Sequence, residues 1–283
     1  MIRVESRESH ESGVGISSKL LTLYSRLRNM LLAIDIGNSF IKFGVFDNKN
    51  LVSRFTIPTD RSQTAGEMHQ AVESEFNHAI NAVIVSSVVP EIDAAISEFS
   101  LTYLGVNAVF VHSECDFGFS KINYEPVSGI GTDRLIAAFA AVQRYGKPCI
   151  VCDFGTATTI DAVNSNGEYL GGIITPGINT LAEALQLNTS KLPRVKIEKP
   201  QSVIGTTTLG SIQSGIFYGY IGLVEGILNR MIRELGETPK IIATGGFLNI
   251  IAENCESIEV VNENLILDGL QIMDQRFIKQ EVC

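Results

Sequence analysis

The sequence has no tryptophan and only 7% aromatic residues, so its core must be built mainly from aliphatic side chains. It has five cysteines in 283 residues, at positions 115, 149, 152, 255 and 283. So few, odd in number and scattered, they do not make the disulfide framework of a small secreted domain and fit a reducing compartment. Cys149 and Cys152 have C-x-x-C spacing but lie inside the apolar run CIVC, with no second ligand pair after them. Buried strand thiols are expected there rather than a redox or zinc pair. Positive charge is also short, with 22 Lys and Arg against 31 Asp and Glu and a net charge of −9. That argues against nucleic acid as a partner, since a phosphate backbone requires a basic face. No stretch approaches the roughly 18 unbroken apolar residues of a membrane helix, so no membrane partner is expected and the location is read as cytoplasmic. Apolar residues make up 45% and charged residues 19%, enough for two domains of ordinary size.

Residues 1–29 differ from the rest. They are serine-rich, show no strand pattern and lack the apolar centre of a signal peptide. Three glutamates argue against a targeting peptide. Residues 17–28 can be drawn as a short amphipathic helix. The organised chain opens at Met30, so this segment reads either as a disordered extension or as sequence upstream of a natural start at Met30.

One motif occurs twice. Residues 31–46 read LLAIDIGNSFIKFGVF and residues 149–163 read CIVCDFGTATTIDAV. Each is an apolar run, then Asp-x-Gly, then small polar residues, then a second β-prone run. Asp35 and Asp153 hold equivalent places. After the first copy come a third strand (LVSRFTIP), a helix over 64–77, the buried strand NAVIVSSVVP, a helix over 92–104 and the strand AVFVH. Residues 115–131 read as loop, and TDRLIAAFAAVQRYG as a helix ended by Gly146. The second copy is followed by the strand YLGGIITPG, the helix NTLAEALQL, a long apolar helix over 209–236, the strand KIIATGGF and a closing helix over 265–277. The repeated order implies two α/β lobes with mixed sheets, 30–146 and 147–283, and a nucleotide cleft between them.

The motifs carry a consistent chemistry. Gly37 lets the backbone approach a phosphate without a Cβ. Asn38 and Ser39 offer hydrogen bonds, Asp35 suits Mg2+ or its water shell, and Lys42 can reach a phosphate. An ordinary hairpin with a turn glycine is the alternative for one copy alone. In the second copy Gly155 repeats the glycine, and Thr156, Thr158 and Thr159 add hydroxyls that also suit a strand. Residues 243–246, ATGG, end a strand where α/β ligand crevices form, and would let an adenine lie close to the backbone. In GIGTDRLIAA, Asp133 begins a helix after Gly129 and Gly131. It reads either as an N-cap or as a general base that takes a proton from an attacking hydroxyl. Arg134 beside it offers a planar fork for a substrate carboxylate, or a surface ion pair. On the long helix, Ile212, Ile216, Val224, Ile227, Leu228 and Met231 with Gly215, Gly219, Gly222 and Gly226 suit either burial within the lobe or a subunit contact.

Together DIGNSFIK, NYEPVSGIGTDRL, DFGTATTID, IGTTTLGSIQSG and IATGGF resemble the type III pantothenate kinases, in that family's order and spacing, from residue 30 to about 275. The resemblance implies two duplicated ribonuclease-H-like lobes of the actin-like ATPase superfamily. It implies ATP-dependent phosphorylation of pantothenate to 4′-phosphopantothenate, the first step of coenzyme A biosynthesis. ATP would lie on Asp35, Ile36, Gly37, Asn38, Ser39, Phe40, Ile41, Lys42 and Thr156. Asp133 would be the catalytic base, and pantothenate would contact Tyr124, Gly131, Thr132, Asp133, Arg134 and Thr208. Asp153 would bind a monovalent cation, K+ or NH4+, beside Mg2+. A homodimer is implied, with each substrate site near the subunit contact. Ser39 stands where the family usually has Thr, and keeps the hydroxyl. A kinase of the superfamily with another small substrate, or a transcription accessory protein of the same fold, are the alternatives.

Overall fold

The computed structural model describes residues 30–75, 79–189 and 191–277; the expectations for residues 1–29 lie outside these. In chain order the elements are β1 (Met30–Ile36), β2 (Phe40–Asp47), β3 (Asn50–Pro58), α1 (Ala65–Val72), β4 (Ala82–Ser87), α2 (Asp93–Leu104), β5 (Ala108–Phe110), β6 (Lys121–Ile122), α3 (Thr132–Tyr145), β7 (Cys149–Phe154), β8 (Ala157–Val163), β9 (Glu168–Pro176), α4 (Ile178–Leu187), α5 (Thr208–Leu235), β10 (Lys240–Gly245), α6 (Leu248–Ala252), β11 (Val260–Val261) and α7 (Leu265–Phe277).

The duplication is visible in the strand order. One sheet runs β3-β2-β1-β4-β5 and the other β11-β10-β7-β8-β9-β6. In both, the first three strands form an antiparallel meander, and the fourth and fifth add parallel to the first. These are two ribonuclease-H-like lobes. The hairpin β1-β2 sets Asp35 opposite Lys42, and β7-β8 sets Asp153 opposite Thr159.

Both central strands are apolar up to Asp35 and Asp153 because helices cover both of their faces. Along β1, Leu31 and Ala33 join one cluster with α3 and α7, whereas Leu32, Ile34 and Ile36 join another with α1 and α2. Along β7, Cys149 and Val151 face α3 and α7, while Ile150, Cys152 and Phe154 face α4 and α5. The result is a layered stack in which α3 and α7 lie between the two sheets. Cys149 and Cys152 are free and buried. Burial pushes the Cys149 thiol up to about 12 and the Cys152 thiol higher than its ordinary value, so both are strand thiols, as expected. Cys115 is disulfide-bonded, which the scattered spacing did not announce. Among the described residues no helix is long and apolar enough to cross a membrane.

Several expectations change in detail. The helix drawn over 64–77 stops at Val72 and tightens into a 3-10 turn, Glu73–Glu75. The loop read over 115–131 contains β6, which joins the second sheet, and a 3-10 turn, Val127–Gly129. The short α6 and β11 were not foreseen. The last helix, although it ends the second half of the sequence, packs on β1, β2 and β4 of the first sheet.

Contact between α3 and α7 depends on Gly269. A Cβ there would come within 2.6 Å of Ile136 Cγ2 and 2.9 Å of the Ile136 carbonyl oxygen. Backbone cannot yield as a flexible side chain does, so Gly269→Val is expected to destabilise the fold by about 1–3 kcal/mol. Urea unfolding would show this as a lower midpoint at unchanged slope. An unchanged midpoint would mean that the two helices separate freely.

Candidate active site

The two Asp-x-Gly turns meet. Gly37 N donates to Phe40 O (3.0 Å) in the first, and Gly155 N donates to Ala157 O (3.1 Å) in the second, which is one residue shorter. Across the gap between lobes, Ser39 Oγ and Thr156 Oγ1 lie 2.7 Å apart in a hydrogen bond. Each turn is pinned by the segment that follows the third strand of its sheet. Thr59 N donates to Ser39 O (3.0 Å) and Thr59 Oγ1 to Gly37 O (2.7 Å). In the second lobe Gly177 N (3.0 Å) and Thr180 Oγ1 (2.7 Å) donate to Thr156 O.

The residues expected to hold ATP divide by orientation. Asn38, Ser39, Phe40 and Thr156 are exposed. Ile36 and Ile41 are fully buried in the cluster beneath α1 and α2, so only their backbone faces the turn. Lys42 Nζ lies 3.5 Å from Asp35 Oδ2. In the ATGG segment, Gly245 has φ 105°, and a Cβ there would lie 2.6 Å from Asp153 Oδ1. That glycine is required by the close approach of β10 to Asp153. Around Gly246 there is open space.

Three acids from different elements converge electrostatically on Lys42. Burial raises the Asp35 pKa, and the Lys42 ammonium opposes it. Burial also raises Asp153, with Lys42 opposing and Asp35 and Asp161 adding to the rise. Asp133 is pushed up to about 7 by burial and by the charges of Asp35 and Asp153, against the Arg134 amide and guanidinium. For Lys42 burial works downward, but the fields of Asp35 and Asp153, with less from Asp133, carry its pKa above the ordinary value. Three carboxylates against one ammonium leave negative charge uncompensated, which is the electrostatic condition for binding cations. Among the described residues no group of three acidic, histidine or cysteine side chains is close enough to cage an ion. The donor set therefore fits an ion that takes most of its ligands from water and phosphate oxygens.

Asp133 sits at the second position of α3. Its Oδ1 accepts from the Arg134 amide at 2.8 Å, and no side-chain cap serves this helix. A Cβ on Gly131 would collide with that same Oδ1, so the glycine keeps the space that the carboxylate fills. Thr132 Oγ1 donates to Ser87 O of β4 (3.1 Å).

Arg134 is buried, and no surface ion pair forms. Its Nε and Nη2 donate to Asp161 Oδ2 (3.1 Å) and Oδ1 (2.6 Å) of β8. Tyr169 OH donates to Asp161 Oδ1 (2.7 Å), and the Tyr124 ring lies 5.8 Å from the Arg134 Cζ. Burial would lower the guanidinium pKa, but Asp161 outweighs it and the net direction is up. The fork thus faces Asp161 along one edge, and a hydrogen bond to Tyr124 adds to its hold. Asp161 and Tyr169 were missed by sequence reasoning; an acid in a buried strand that demands a cation was the available signal.

Thr208 stands apart. It is exposed in the first turn of α5, in a groove lined by Leu192, Thr206, Thr207, Ser211 and Ile212.

Known proteins place this arrangement. Residues 31–230 match the family model described as type III pantothenate kinase. Three relatives of that name come from Geotalea daltonii (44% identical, covering 87% of this chain and 98% of the relative), Solibacter usitatus (41%, 87% and 97%) and Halalkalibacterium halodurans (40%, 86% and 98%). A solved structure from Campylobacter jejuni, assigned to the Baf family of transcriptional activators, has a TM-score of 0.58 at 21% identity over 88% of this chain and 100% of its own. The ethanolamine utilization protein EutJ from Carboxydothermus hydrogenoformans gives 0.51 at 16%, over 85% and 88%. At these identities the two structures show the fold alone. Match of the family model across both lobes, identity of 40–44% and paired Asp-x-Gly turns flanking the Asp133 helix agree: the chain belongs to the type III pantothenate kinase family.

Proposed function

We propose that the protein transfers the γ-phosphoryl group of ATP to the primary hydroxyl of pantothenate, forming 4′-phosphopantothenate and ADP at the first step of coenzyme A biosynthesis. The observation that carries this reading is Asp133, a partly buried acid pushed up to about 7 at a helix start beside two phosphate-type turns. A base is most effective with a pKa near the working pH. A transcription accessory protein of the same fold has no need of three strained acids, and the relatives at 40–44% identity are named as kinases.

In this reading the 37–40 turn, Lys42 and Thr156 hold the phosphates. Asp133 orients the hydroxyl and takes its proton, while the new P–O bond forms and the bond to the β-phosphate oxygen breaks. Phosphoryl transfer asks for positioning and charge neutralisation more than covalent chemistry. Mg2+, held through Asp35, and a monovalent cation, K+ or NH4+, held through Asp153, would supply that neutralisation. Pantothenate would meet Tyr124, the Gly131–Thr132 backbone and Asp133, with Arg134 for its carboxylate.

We also propose a homodimer through α5. Gly215, Gly219 and Gly222 have open space where a Cβ would be. Beside them Leu181, Leu185, Ile212 and Ile216 line an apolar groove of about 470 Å³. Leu187 and Ile204, in neighbouring segments, are 81% and 80% exposed. A second copy of this chain would cover that face and bring its Thr208 to the substrate.

A coupled ADP-release assay with pantothenate, run with and without K+, tests the activity. Pantothenate-dependent ADP, stimulated by K+, is expected, and its absence would sink the reading.

Asp133→Asn is expected to abolish turnover while MgATP still binds. The same change should raise the unfolding temperature of the ligand-free protein by a few degrees at pH 8. The folded pKa of Asp133 lies above the unfolded value of 3.8. Stability therefore falls as pH rises from 3.8 to about 7 and stays reduced above, a penalty that asparagine does not carry. For wild type, kcat/KM should fall tenfold per unit below about pH 7, as the base of the free enzyme takes up its proton. A flat profile, or turnover by the variant, removes Asp133 from the role.

Gel filtration at micromolar concentration should give twice the chain mass; a monomer would exclude the α5 interface.

A further inference from the structure

A second basic side chain stands at the first Asp-x-Gly turn, outside the DIGNSFIK run. After β3 the chain folds back over the turn, where Thr59 bonds to the carbonyls of Gly37 and Ser39. The following residues are fixed in turn. Asp60 Oδ1 accepts from Ser62 N (2.9 Å) and Ser62 Oγ (2.7 Å), and Thr64 and Glu67 form a reciprocal capping box at the start of α1. Arg61 is thereby carried on a rigid backbone to the side of the turn. Its Nη2 donates to Asn38 Oδ1 at 3.1 Å, and its Nη1 pairs with Glu91 Oε1 at 3.2 Å. Both partners of the ion pair are more than half exposed, at 57% and 53%. Pairs so solvated are weak and readily exchanged.

A guanidinium is the side chain best suited to grip phosphate oxygens through two parallel donors. Its nearest polar neighbour here, Asn38, is in the turn itself. The duplication does not demand a cation at this place. In the second lobe Gly177 pins its turn as Thr59 does, and two residues on stands Asn179 where the first lobe has Arg61. A structural tether to Glu91 is the competing account, and the two accounts differ in sign, as the test uses.

We infer that Arg61 is a nucleotide-phosphate contact, resting on Glu91 and Asn38 in the free protein and turning to an ATP phosphate when the turn is filled. This rests on the reading of residues 35–42 as the ATP phosphate turn. Glu91 is then a competitor of the nucleotide for the same guanidinium.

MgATP binding by titration calorimetry and KM for ATP and for pantothenate decide the matter, with circular dichroism as the check of folding. Arg61→Gln should raise Kd and KM for MgATP about tenfold, the scale of one charge-assisted contact, and leave KM for pantothenate unchanged. Arg61→Lys keeps the charge without the fork and should fall between. Glu91→Gln should tighten MgATP binding, because the competing carboxylate is gone. A tether would make Arg61→Gln and Glu91→Gln shift affinity in the same direction; that result, or an unchanged Kd in Arg61→Gln, overturns the inference. Ser39→Ala and Lys42→Gln separate this from the underlying reading. If they weaken MgATP binding while Arg61→Gln does not, only the inference falls. If none of the three does, the turn is not the phosphate site and both fall.

Discussion

Three carboxylates held out of water around a single ammonium set the terms on which the rest of this structure is built. Asp35, Asp153 and Asp133 all have pKa values raised by burial, and the first two lean on the same Lys42. Such a site is unfavourable in an empty protein, because desolvated charge of one sign is not repaid by a lone counter-ion. It persists because the surrounding scaffold is over-determined. Each of the outer acids ends a strand buried on both faces, and α3 is clamped between two sheets. The stability that those apolar layers supply is what allows the charge to be held there.

Duplication explains the scaffold, and departures from it explain the chemistry. The sheets share a strand order, and both turns are pinned by the segment after the third strand. Yet the first turn is one residue longer and faces Lys42 across the hairpin, whereas Asp153 faces Thr159. The first lobe therefore has a cation of its own at the turn, and the second has hydroxyls and an acid that shares that cation. Asymmetry of charge between similar lobes is how one fold can hold a polyanion on one side and a small cation on the other.

Much of this was legible from the chain. Asp-x-Gly repeats gave both hairpins, because an apolar run broken by glycine and small polar residues has few other solutions. The closing helix over 265–277 was read from the chain, and Leu265–Phe277 is helical. Its partner was not, since periodicity shows which face is apolar but not which sheet will cover it; α7 returned to the first lobe. The two-residue β6 lies in a glycine-rich stretch that gives no strand signal. Arg134 beside Asp133 suggested an exposed fork, and only packing revealed Asp161 beneath it. Long-range pairing of two charged residues leaves no local trace in a single sequence.

That buried pair bears on where Asp133 stands. Thr132 binds the first sheet through Ser87 O, and Arg134 binds the second through both oxygens of Asp161. Asp133 lies between them in the chain, so the start of α3 is bonded to both lobes at once. A change in the separation of the sheets is resisted most at such a crossing point and least at the open edge where Ser39 and Thr156 meet by one hydroxyl contact. Nucleotide entry needs give at the edge, whereas proton transfer needs a base whose position does not drift. The bidentate charge pair is strong in one geometry and costly in any other, which makes it the element that fixes Asp133 between the two sheets.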